Sequence, residues 1–135
     1  MLQLTRRADY ALRLLIHLAG IDGGRARIAQ IADAQAISRT HLMKIANDLT
    51  HAGFTEAVRG RGGGIRLERD PCDINLADVI NAMEPPCPLV DCTSCNLVRG
   101  CGLPTILDRA SMAFRAELAK HSLADIIGQR GARPK

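Results

Sequence analysis

Aromatic side chains are almost missing from this chain, which has no Trp, one Tyr and two Phe among 135 residues. Since 47% of it is nonetheless hydrophobic, the core has to be Leu, Ile, Ala and Val packed between helices. The length suits one domain with a real core and an appended element. Missing too is any apolar run of roughly 18 residues, so no membrane-spanning helix is expected. Arg6 and Arg7 are not followed by an uninterrupted apolar stretch and a small-residue cleavage site, so no signal peptide is expected and a cytoplasmic location is. No pairing of a nucleophile with a base is visible. His17, His41, His51 and His121 all fall on expected helices, so the chain does not read as an enzyme.

What is present is uneven charge. Residues 1 to 70 hold 11 Lys or Arg against 7 Asp or Glu, whereas residues 71 to 135 hold 7 of each. The whole net charge of +4 therefore lies in the first half, where an anionic partner would dock. A solvated shell of mixed charge would give the same total, so the excess needs a structural context.

Cysteine is also concentrated. Four of the five cysteines, Cys87, Cys92, Cys95 and Cys101, fall within fifteen residues. Pro85 and Pro86 stop a helix before them, and Pro104 is placed to open another after them. Thiolates are soft ligands, and the C-x2-C-x5-C spacing from Cys92 lets three sulfurs converge from one irregular loop. Three chemistries fit that spacing: an iron–sulfur cluster, structural zinc, and a redox thiol pair or disulfide. Zinc lacks a second C-x2-C and a histidine within the loop. A disulfide knot needs an oxidising compartment. Cys72 stands apart and reads as a small packed residue.

Periodicity places the remaining elements. Ala8, Ala11, Leu12, Leu15 and Ala19 recur at helical spacing between a Thr5 N-cap and a Gly20 stop. Asp9 in that helix can pair with Arg13 four residues on. Asp22-Gly23-Gly24 predicts a turn, and Ile28, Ile31 and Ala32 a short helix ending near Ala34. After Gln35-Ala36-Ile37, Ser38 caps a third helix with the stripe Leu42, Ile45, Ala46 and Leu49, closed by Gly53. Short helix, brief turn, longer helix is the helix-turn-helix arrangement, whose second helix enters the DNA major groove by its N-terminal end. That end offers Ser38, Arg39, Thr40 and His41 to bases or phosphates, with Lys44 suited to a phosphate. A helical hairpin that merely packs has the same pattern.

The next segment favours DNA. Two short strands, 54–59 and 65–69, are joined by Gly60-Arg61-Gly62-Gly63-Gly64, a flexible loop that reads as the wing of a winged helix. Nucleotide-cradling glycine motifs require a following helix, and here a strand pattern follows. Arg59 and Arg61 are accordingly assigned to the DNA backbone or minor groove. Beyond Pro71, Asn75 caps a helix burying Leu76, Val79, Ile80 and Met83. The longest helix runs from Pro104 to His121, with Leu107, Ala110, Phe114 and Leu118 in one stripe that Ile106 and Ala113 broaden. A long helix remote from the DNA module suits a dimer seam, and packing on the first helix is compatible with that. Ser122 and Asp125 form a capping-box-like start to a last short helix.

The expected fold is mostly α with a small β-hairpin wing, a winged helix-turn-helix plus a long C-terminal dimerisation helix. The expected domains are 1–70 for DNA binding, 71–127 for the cysteine loop and dimerisation helices, and 128–135 as a disordered tail.

Residues from end to end carry a family likeness. They are Leu4-Thr5, Asp9-Tyr10-Ala11-Leu12-Arg13, Ser38 to Lys44, Val58 to Leu67, Leu89-Val90-Asp91-Cys92, Cys95 with Cys101, and Ser122-Leu123-Ala124-Asp125. The chain resembles the Rrf-two family of bacterial winged-helix regulators, over about residues 2 to 127, and within it the NsrR-like, nitric-oxide-sensing repressors. The resemblance implies a homodimer on an operator in double-stranded DNA, with an iron–sulfur cluster in each subunit. That cluster is [4Fe-4S], with [2Fe-2S] as the alternative. Its ligands by resemblance are Cys92, Cys95, Cys101 and, in NsrR-like members, an aspartate from the other subunit, which lands on Asp9. Cys92 and Cys95 are closer together than that branch usually shows, which leaves Cys87 as a substitute outer ligand. The histidine of IscR-like members falls on Pro104. RirA-like iron regulators share the Cys-Pro-Leu-Val phrase, so iron or redox status is the alternative signal; a zinc-stapled module is the reading without sensing.

Overall fold

The computed structural model describes residues 3–21, 24–61, 63–84, 89–93, 95–96 and 100–127. Its first and most central element is α1 (Arg6–Ala19). Thr5 holds an extended backbone and its hydroxyl accepts from the Ala8 N–H at 3.2 Å, satisfying a donor that helix geometry leaves free. The buried face is Ala8, Ala11, Leu14, Leu15 and Leu18. Leu12 and Ala19, expected in the stripe, are half-buried, and Leu14 and Leu18 replace them. The reason is that α1 is packed from several sides, by α3 (Arg39–His51), α4 (Leu76–Met83), α6 (Leu123–Ile127) and the sheet, so its apolar face is wider than one stripe.

The helix-turn-helix follows as expected. In α2 (Ile28–Gln35) the Gln30 side chain accepts from the Arg27 N–H at 3.1 Å. Ala36 then takes a left-handed conformation, φ 54°, and the Ile37 N–H reaches back to the Ala32 carbonyl at 2.9 Å. This turn is tight enough to hold α3 against α2, and Ile37 is buried beneath it. Ser38 Oγ accepts from the His41 N–H at 3.4 Å, and Leu42, Ile45, Ala46 and Leu49 form the buried side of α3. At the far end Gly53 turns the chain at φ 85°, and Arg69 donates to its carbonyl at 3.1 Å while lying 4.8 Å over the Phe54 ring.

The sheet has three antiparallel strands in the order β1 (Arg25–Ala26), β3 (Gly64–Leu67), β2 (Thr55–Val58). Its first strand was not expected, because two residues carry no period. The wing strands are shorter than predicted, since Arg69 is drawn to the end of α3 instead of continuing the ladder. Beyond a 3₁₀ turn at Pro71–Asp73, Asn75 caps α4 by accepting from the Ala77 N–H at 2.9 Å and donates to the Ala119 carbonyl at 2.7 Å. The Leu123 N–H bonds to the Ile74 carbonyl at 2.8 Å, and Leu123 is fully buried, so α6 is fastened back onto α1.

Between them α5 (Leu103–Leu118) stands proud. It rests on α4 but has no buried residue, and Leu103, Ile106, Met112 and Phe114 are 50 to 69% exposed. The molecule is thus mostly helical with a small antiparallel sheet, a winged helix-turn-helix followed by a long helix. The tail expected at 128–135 lies outside the described residues.

Cys72 is a correction. It is exposed on the 3₁₀ turn, not packed, because Asp70 caps that turn by accepting from the Cys72 N–H at 2.9 Å and holds it at the surface. A hydrogen bond to the Asp70 carboxylate, with that group's charge, pushes the thiol pKa up, and burial, Asp73 and Asp125 add to it. Its thiolate, the reactive form, should therefore appear at higher pH than for an ordinary thiol. We expect the iodoacetamide rate at Cys72 to rise late with pH and Asp70→Asn to move the rise earlier; an unshifted profile in that variant refutes the assignment.

Candidate nucleic-acid interface and cysteine loop

The solvent side of α3 carries the residues expected to meet DNA. Ser38 is the cap; Arg39, Thr40 and Lys44 are exposed. Arg39 donates to Asp33 of α2 at 3.1 Å, an exposed pair worth under about 1 kcal/mol and readily exchanged for a phosphate. His41 is placed differently. It is half-buried, edge-on to the Tyr10 ring of α1 at 5.2 Å between centroids. Arg7 of α1 bridges to Asp48 of α3 at 2.9 Å. The recognition helix is therefore gripped by α1 at two points, which no local sequence pattern announces.

In the wing, Arg59 and Arg61 are exposed at the base and tip of the loop. Gly60 has φ 94°, and the Gly63 N–H closes a turn onto the Gly60 carbonyl at 2.9 Å. On the neighbouring strands Arg66 lies between Arg25 and Glu56 and forms an ion pair with Glu56. Arg66 is thus already neutralised, whereas Arg25, Arg59 and Arg61 are exposed and form no ion pair among the described residues.

The cysteine loop lies between α4 and α5. Cys92, Cys95 and Cys101 are exposed free thiols; Cys87 lies outside the described residues. A turn from the Cys95 N–H to the Cys92 carbonyl, 3.3 Å, brings the two ends of the C-x2-C together. Asp91 braces it from the preceding position, accepting from the Thr93 N–H at 2.9 Å and the Thr93 hydroxyl at 2.5 Å. These bonds, the hydroxyl first, hold its carboxyl below the usual carboxylate range. Cys101 sits just before the N-terminus of α5. The donor set is what a soft metal centre needs: accessible unpaired sulfurs on irregular backbone. Among the described residues, however, no three His, Cys, Asp or Glu side chains converge to hold a metal.

Asp9 is on α1, its side chain 42% exposed and bonded to Arg13 Nε at 3.0 Å. Among the described residues it joins no group of His, Cys, Asp or Glu side chains that could hold a metal. One link does join the regions: the Thr5 N–H donates to Glu84 Oε1 at 2.5 Å, so the end of α4 is tied to the start of α1. Glu84 was missed by sequence reasoning, since nothing local marks a contact 79 residues away.

A winged helix-turn-helix with a basic, outward recognition face defines a DNA-binding regulator. Residues 4–129 match the family Rrf2, described as an iron-dependent transcriptional regulator. The chain belongs to this family of transcriptional regulators and is not an enzyme. Among solved structures it is similar to T. potens IscR, at 24% identity and TM-score 0.81, covering 99% of this chain and 93% of that one. It is similar also to Staphylococcus aureus CymR, at 26% identity and TM-score 0.73, covering 88% and 93%. CymR (YrzC), the global cysteine regulator of B. subtilis, matches at 24% identity and TM-score 0.72, covering 95% and 98%. Likeness at these identities speaks for the fold. Among the described residues no helix is long and apolar enough to cross a membrane.

Proposed function

We propose that the chain is a homodimeric transcriptional repressor that senses nitric oxide through an iron–sulfur cluster, [4Fe-4S] rather than [2Fe-2S]. The holding residues are Cys92, Cys95 and Cys101, with Cys87 as substitute, and Asp9 of the partner subunit. The observation that carries this reading is the set of three exposed free thiols, Cys92, Cys95 and Cys101, on the irregular backbone between α4 and α5. When bound, the cluster supplies iron that takes up nitric oxide. The protein's part is mechanical. Asp9, latched to the other subunit's loop, fixes α1; α1 in turn holds α3 through Arg7–Asp48 and Tyr10–His41. Released, the Asp9 carboxylate is retained by Arg13, and α1 is free to shift with the recognition helix it grips. A change of about 1.4 kcal/mol in that coupling alters operator affinity tenfold, within the usual allosteric range. The open apolar face of α5 supports the dimer, which twofold operators require.

The test is a gel shift of anaerobically purified protein titrated with nitric oxide. Retarded operator should be released as the cluster absorbance bleaches; unchanged affinity after full bleaching rejects the proposal. The family's iron-dependent description favours a second reading, iron or redox status as the signal. In that case chelation or oxidation, and not nitric oxide, releases the DNA. Colourless protein with stoichiometric zinc would instead mark a zinc-stapled module.

A further inference from the structure

The exposed face of α3 is chemically divided in a way that its sequence order conceals. At about 100° per residue, the buried Leu42, Ile45, Ala46 and Leu49 centre on one side of the helix. Opposite that side lie Thr40, Asn47 and Lys44, with Met43 between them and the Arg39 margin, all four exposed. Arg39 is at the margin facing α2, where it meets Asp33, and His41 is at the margin facing α1, where it meets Tyr10. In a helix-turn-helix the first helix of the pair crosses the sugar-phosphate backbone. The margin of α3 next to α2 therefore runs over phosphates, and the middle of the exposed face points to the floor of the groove.

Resting on the operator-binding reading above, we infer that Asn47 and Met43 read the bases of each half-site, selecting A·T pairs, while Arg39 and His41 position the helix. Asn47 has no side-chain hydrogen bond among the described residues, so its amide is available in both directions. A carboxamide offers one donor and one acceptor side by side, which matches adenine N7 and N6 and not the two acceptors, N7 and O6, that guanine shows in the major groove. Met43 is 52% exposed, a large apolar side chain on a face otherwise polar. In the major groove its one complementary base feature is the thymine methyl. From Thr40 to Asn47 the helix rises about 10 Å, which spans roughly three base pairs. The stripe is thus long enough to read successive pairs, and Lys44 beside it is placed for a flanking phosphate.

The experiment is selection from a randomised duplex library by the anaerobic, cluster-containing protein and by Asn47→Ala, Met43→Ala and Arg39→Ala. Wild type should enrich an adenine and a nearby thymine within each half-site. Asn47→Ala should lose roughly tenfold of the preference at the adenine alone, and Met43→Ala should lose that at the thymine. Arg39→Ala should weaken every sequence alike and lessen the salt dependence of binding by about one ion. Asn47 is exposed and alanine favours helix, so the variant should fold; its circular dichroism checks this. Unaltered preferences in Asn47→Ala, or a base preference that changes only with Arg39→Ala, overturn the inference while leaving operator binding intact. A wild type that enriches no sequence overturns both.

Discussion

Gly64→Ala is expected to be the most destabilising alanine substitution among the described glycines, costing about 3 kcal/mol and lowering the melting temperature by roughly 10 °C. Gly64 opens β3 at φ 150°, where L side chains rarely go. A Cβ there would sit 2.3 Å from the Ala26 carbonyl oxygen, 2.8 Å from its carbon and 3.2 Å from the Arg27 nitrogen. All three are backbone atoms, so no side chain can rotate out of the way. Relief would require separating β3 from β1, and with it the start of α2 just beyond Arg27. Gly60 is the internal control: it has φ 94° but nothing within 4 Å of the added carbon. Gly60→Ala should pay the conformational cost alone, about 1 kcal/mol. Urea unfolding followed by circular dichroism separates the two; equal midpoints would mean that the β1–β3 contact is not what requires the glycine.

Helices with strong caps and continuous stripes, α3 and α4 above all, were legible because local chemistry and tertiary packing agree there. The glycine-rich wing was legible as a connection but misjudged in character. Its glycines read as flexibility, whereas Gly63 and Gly64 are required by close backbone neighbours at Val58, Gly60 and Ala26. The phase of α1 was misread at Leu14 and Leu18 because periodicity assumes one buried side, and α1 is packed from several. Cys72 was misread because its setting depends on a 3₁₀ turn and on Asp70, which composition does not reveal. The candidate site divides likewise. The thiols and wing arginines announce themselves by type and spacing. The grip of α1 on α3, through Arg7, Asp48, Tyr10 and His41, joins residues 31 to 41 positions apart and belongs to tertiary structure alone.

Asp9→Ala should abolish the nitric-oxide response and reduce operator affinity by tenfold or more, an effect of at least ~1.4 kcal/mol. Among the described residues of one chain this carboxylate makes only an exposed pair with Arg13, and such i to i+4 pairs contribute about 0.3–0.5 kcal/mol. On that contact alone, removing Asp9 would be nearly silent. A large loss must come from a role that the single chain does not display, and ligation across the dimer is the role proposed. Arg13→Ala is the discriminating control, because it deletes the same ion pair and leaves the carboxylate free. If Arg13→Ala reproduces the Asp9→Ala defect, the surface pair matters and the ligand assignment falls. If Arg13→Ala keeps its iron and its response while Asp9→Ala does not, the carboxylate acts beyond its own helix. Cys101→Ala extends the comparison, since a thiol at the head of α5 has no stabilising contact to lose among the described residues. It should leave the melting transition of metal-free protein unchanged while abolishing the visible absorbance of anaerobically isolated protein. An intact spectrum in Cys101→Ala would move the sulfur ligands elsewhere in the loop.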